Sequence, residues 1–110
     1  MINNNYFTDE IDKYIIEFIS SSCYYSRSLI YEQKIHGPLK ELCTNIINRF
    51  GFYNNCGENF SFLLDECMSF LNTKLDKFNN NNGKAFSYFS IICKRYLIQK
   101  SNAYLQKTKS

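Results

Sequence analysis

The chain has 110 residues, a formal net charge of +3 and 45% hydrophobic content that includes 10 Phe and 9 Tyr. That is one domain with material for a real core. No apolar run approaches the roughly 20 residues that span a bilayer, so no membrane partner is expected. The opening Met1-Ile2-Asn3-Asn4-Asn5 has neither the basic nor the apolar part of a secretory signal.

Residues 1–7 are polar and expected to fray. Thr8 is a good N-cap, and Asp9, Glu10 and Asp12 suit the positive end of a helix dipole. Ile11, Ile15, Phe18 and Ile19 share one face, which predicts a helix over about 9–20, weakened by Ser20-Ser21-Ser22. A second, less regular helix is expected over about 24–36, ended by Gly37. Pro38 then suits the first turn of a third helix, in which Leu39, Leu42, Cys43, Ile46, Ile47 and Phe50 form an apolar stripe up to Gly51. A loop is expected from Phe52 to Asn59. The fourth helix, about 59–77, repeats the pattern with Leu64, Cys67, Met68, Leu71, Leu75 and Phe78. Asn79 to Gly83 is a connector. The last helix is expected from near Lys84–Phe86 to about 104, with a basic tail over 105–110. There is no Val and no alternating strand pattern. The expected fold is all-α, about five helices in a single domain over 1–110, with no sheet.

Charge is divided unevenly. Residues 1–76 hold all ten carboxylates against six Lys or Arg, about −4, while 77–110 hold seven cations and no acid, +7. A basic end interleaved with aromatics fits a polyanion, because cations hold phosphates and rings stack on bases, and on composition alone it fits a solvated tail on a small helical domain equally well.

Motifs for catalysis are absent: no Gly-rich phosphate loop, nucleophile elbow or His-Glu-x-x-His. His36 is the single His. Asp65 and Glu66 are adjacent and point about 100° apart on a helix, so they do not converge on one atom. The five Cys form no Cys-x-x-Cys pair, which suits a reducing cytosol without a disulfide framework. Cys43, Cys67 and Cys93 fall at apolar-periodic positions and are expected as small buried hydrophobes. A zinc site needs four clustered ligands, and only Cys56 and His36 are loosely at hand, so neither metal nor cofactor is expected. The residues point to a binding protein rather than an enzyme.

Lys77-Phe78-Asn79, three residues, Gly83 and then Lys84-Ala85-Phe86-Ser87-Tyr88-Phe89 resemble, without a gap, a stretch of region 2 of bacterial sigma factors. Leu63-Leu64-Asp65-Glu66 resembles the run that opens the helix before it. Ile30–His36, Asn45–Phe50 and Gly83–Ile91 more closely resemble the late-transcription sigma factors of T-even-like bacteriophages, in particular their marine branch. The resemblance covers about 25–105. It implies a sigma factor without catalysis, in the cytoplasm of an infected bacterium, that binds host core RNA polymerase and opens an AT-rich promoter element. On this alignment Asp65, Glu66, Ser69, Asn72 and Thr73 meet the clamp helices of the largest polymerase subunit. Lys84, Phe86, Ser87, Tyr88, Phe89, Ile92, Arg95, Tyr96, Gln99 and Lys100 meet promoter DNA, with Tyr88 the favoured base-stacking ring because it lies off the apolar stripe.

Departures from the family bear on mechanism. The adjacent Trp pair that wedges melted DNA in housekeeping sigma factors corresponds to Ile92 and Cys93 here, and the chain has no Trp. The phage family's hydrophobic, acidic C-terminal tail engages a sliding clamp. This sequence runs to Lys107-Thr108-Lys109-Ser110 without it, so either the tail is lost or this is a fragment; clamp-coupled activation is not carried over, and a phage coactivator or sliding clamp stays an open partner. Two other readings fit the same residues: a helical polymerase-binding adaptor of anti-sigma type without DNA recognition, and a nucleic-acid-binding bundle whose aromatic turn is core.

Overall fold

Ile11 and Ile15 lie one turn apart and are buried on helix α1, Asp9–Ser20. The computed structural model describes residues 7–50, 59–79, 81 and 83–108, apart from the side chains of residues 50 and 106–108. The expected frayed start over 1–6, the stop at Gly51, the loop over 52–58 and the last two residues of the expected basic tail lie outside the described residues. Phe7 does not fray: it is buried and packs edge-on against Phe86, ring centroids 5.8 Å apart. Thr8 occupies the N-cap, yet its hydroxyl makes no capping bond; its carbonyl accepts Ile11 N–H at 3.0 Å.

The expected break at Gly37-Pro38 does not occur. Tyr24–Ile30, a π-helical turn Tyr31–Ile35 and His36–Phe50 continue as one rod, α2 (24–50). Gly37 lacks the positive φ that would end a helix; among the described residues only Gly83 has one. In the π turn His36 N–H bonds Tyr31 O, five residues back. Such a turn is wider than an α turn. It relieves the crowding a proline ring brings against the carbonyl four residues back. The expected second and third helices are therefore one, and the described residues form four α-helices, not five, with no strand.

Helix α3, Phe60–Asn72, is capped by Asn59, whose side-chain oxygen accepts Phe62 N–H at 2.8 Å. It buries Leu63, Leu64, Cys67, Met68 and Leu71. It stops short of the expected 77 because the Thr73 hydroxyl turns back to Phe70 O at 2.6 Å, and a 3₁₀ turn, Leu75–Lys77, follows. Gly83, φ 88°, lies near the end of the connector. Helix α4, Ala85–Thr108, continues beyond the expected end near 104, so 105–108 are helical rather than a tail.

The core sits where α2, α3 and α4 meet, with Leu39, Leu42, Cys43, Ile47, Leu63, Cys67, Leu71, Phe89, Cys93 and Leu97 all at 0% exposure. Burial of each large side chain contributes about 1.5–3 kcal/mol. Pairing of Glu66 with Lys100 and of Phe70 with Tyr96 descends α3 while it climbs back along α4, so the two helices are antiparallel. Helix α1 closes the start of α4: Asp12 Oδ2 accepts Ala85 N–H at 3.0 Å, and Asp9 pairs with Lys84 at 2.8 Å. Arg27 lies over the Phe18 ring, 4.3 Å from its centroid, and pairs with Asp76 at 2.8 Å, which ties the start of α2 to the 3₁₀ turn.

Pro38→Ala restores a helical donor and removes the ring. We expect the urea midpoint to rise by on the order of 1 kcal/mol of stability at unchanged slope. An unchanged or lower midpoint would show that the π turn absorbs the proline without cost.

Candidate docking groove and basic helix face

Phe62, Asp65, Glu66, Ser69, Phe70 and Thr73 follow the i, i+3, i+4 rhythm and make one outward face of α3. With Tyr96 of α4 they line an open groove of about 570 Å³. Four of the five residues expected to contact polymerase are thus brought together. Asp65, Ser69 and Thr73 are exposed. Glu66 is half-buried, and its Oε1, shielded from solvent, pairs with the Lys100 ammonium. Asn72 lies apart, its side-chain oxygen accepting the Tyr31 hydroxyl at 2.7 Å across a second groove of about 840 Å³ that includes Phe18, Arg27 and His36. Burial raises the Tyr31 pKa, and the bond to Asn72 opposes part of that rise.

Sequence reasoning missed Phe62, which is 47% exposed and lines the groove. The helical rhythm that linked Asp65, Ser69 and Thr73 was the signal that could have found it.

The residues expected on DNA divide three ways. Ser87, Arg95 and Gln99 are exposed on α4, and Arg95 has no carboxylate partner among the described residues. Lys84 is exposed but engaged by Asp9, whose hydrogen bond holds its pKa above the usual lysine value. Lys100 is half-buried against Glu66.

Three aromatic assignments need correction. Phe89 is at 0% exposure in the core and cannot reach a base as placed. Tyr88 is half-buried between Phe78 and Phe89, with centroids at 5.4 and 4.9 Å, and is not a free ring. Tyr96 stacks on Phe70 at 4.6 Å and belongs to the α3 groove rather than to the outward face of α4. Phe86 is half-buried against Phe7, and Ile92 is half-buried. Cys93, aligned with a wedge Trp, faces the core. The outward face of α4 instead carries Ile91 and Ile98, 51% and 47% exposed, on either side of Arg95.

No protein-family model, curated protein or solved structure matches the chain. No helix among the described residues is long and apolar enough to cross a membrane.

The Phe70–Tyr96 stack forms the floor of the groove. Phe70→Ala, Tyr96→Ala and the double variant should show a coupling of about 0.5–1.5 kcal/mol in urea unfolding. Additive losses would mean the rings are neighbours without a specific contact.

Proposed function

We propose that the chain is a sigma factor of region 2 type that binds bacterial core RNA polymerase through the α3 groove and engages promoter DNA along α4. The observation that carries the reading is the exposed face of Asp65, Ser69 and Thr73 with Phe62 beside it, an apolar anchor within a polar rim, which is how protein docking sites are built. The resemblance of 77–91 to sigma region 2, the all-helical architecture and the acid-free α4 add support. The roles follow from chemistry. Phe62 is the anchor for the clamp helices, Asp65 faces cations of that coiled coil, and Arg95 contacts phosphate next to Ile91 and Ile98. The polymerase supplies catalysis, and the working compartment is the cytoplasm of an infected bacterium.

The adaptor without DNA recognition is a second reading, favoured by one observation. Lys84 and Lys100, two of the cations assigned to DNA, are engaged by Asp9 and Glu66.

Run-off transcription with bacterial core polymerase on an AT-rich promoter separates the two readings. Asp65→Lys should lose core polymerase in a pull-down with helicity intact. Arg95→Ala should keep core polymerase but flatten the salt dependence of promoter binding by about one phosphate contact. Retained pull-down by Asp65→Lys removes the groove from the polymerase interface. Wild-type core binding without any promoter-directed transcript favours the adaptor.

Opening of duplex is expected to be weak. Ile92 has no ring and Cys93 is buried, so the protein should initiate better on a pre-melted bubble than on relaxed duplex, the deficit being about one stacked base, roughly 1–3 kcal/mol. Ile92→Trp should narrow the gap. Equal activity of the wild type on both templates would show that ring stacking at this position is not limiting.

A further inference from the structure

Cys43 of α2, Cys67 of α3 and Cys93 of α4 converge in the core, each at 0% exposure. Their sulfurs all lie within 4.8 Å of one another, with Cys67 and Cys93 at 3.0 Å and Cys93 and Cys43 at 3.9 Å. Cys67 and Cys93 are 26 positions apart in sequence, so no local motif announces the cluster.

Packing alone needs only three small apolar groups here. Sulfur brings a second property. A thiol that loses its proton becomes a soft, anionic metal ligand.

The geometry points to a buried three-sulfur site for one soft d¹⁰ cation, Cu⁺ in preference to Zn²⁺, that links α2, α3 and α4. Thiolates select these ions over hard cations. An ion about 2.3 Å from each sulfur in a flat triangle spaces the sulfurs by about 4 Å. That spacing falls between the 3.0 Å contact and the 4.8 Å limit of the cluster. No fourth His, Cys, Asp or Glu joins the three among the described residues, which favours three-coordinate Cu⁺ over tetrahedral Zn²⁺. On loading, each sulfur donates a lone pair to the ion. The thiol protons of Cys43, Cys67 and Cys93 leave to the buffer.

The test uses the full chain, reduced and freed of metal by chelator, then equilibrated anaerobically with Cu⁺ alone or Zn²⁺ alone and desalted. About one equivalent retained by the wild type and by Cys23→Ser, and none by Cys67→Ser, is expected. The arm that retains it identifies the ion. Helical content by circular dichroism checks that Cys67→Ser folds. Should it not, thiol alkylation of the wild type in mild denaturant decides, with Cys43, Cys67 and Cys93 slower to react when loaded than when free. Less than about a tenth of an equivalent in both arms, retention by folded Cys67→Ser, loss in Cys23→Ser, or unchanged alkylation of the three core thiols would each overturn the site.

Discussion

The antiparallel seam between α3 and α4 is the contact on which both surfaces of interest depend. Glu66–Lys100, Phe70–Tyr96 and Cys67–Cys93 all bridge it, so ionic, aromatic and thiol contacts act on one pair of helices. Tyr96 reaches from α4 to complete the groove of α3. A change that separates the helices therefore removes the groove and turns the outward face of α4 together. The half-buried Glu66–Lys100 pair is more consequential than a surface bridge, because removal of either partner leaves a charge in partly desolvated surroundings.

Charge shows how folding alters what composition implies. The chain divides into a part of about −4 and a part of +7, as though one end were free to meet a polyanion. Folding brings the acids back. Asp12 accepts the Ala85 N–H at the start of α4, Asp9 holds Lys84 and Glu66 holds Lys100. The exposed Asp9–Lys84 pair contributes little stability by itself. Among the described residues, Arg95 stays exposed on the outward face of α4, bordered by Ile91 and Ile98. An apolar border to a cation fits a partner that offers both phosphate and base or sugar faces, and equally a mixed protein surface. The transcription assay is what tells these apart.

The core stripes were legible in the sequence because helical periodicity is a local property: Leu39, Leu42, Cys43, Ile46 and Ile47 are all buried as their spacing requires. Gly37-Pro38 misled because punctuation by residue type ignores the backbone register before it, and a π turn at Tyr31–Ile35 lets the helix pass. The groove on α3 was readable residue by residue but not as a concave surface, since Tyr96 joins it only through tertiary packing. The thiol cluster was invisible for the same reason. Its three members sit on three helices, each at a position that an apolar residue would also satisfy.

Magnitudes decide which ring of the aromatic turn can serve a nucleic acid. A captured base gains roughly 1–3 kcal/mol from stacking on a ring. Withdrawal of Phe89 from full burial forfeits about 1.5–3 kcal/mol, so capture there gives no net gain. Tyr88 is already half-exposed and gives up only contacts with Phe78 and Phe89, at about 0.5–1.5 kcal/mol for an aromatic pair. Phe86 faces the same balance against Phe7. A base that stacks on this turn thus has to draw Tyr88 or Phe86 off the protein's own aromatic neighbours. On the proposed function, the small surplus that remains is the physical reason that base capture would rely on prior melting.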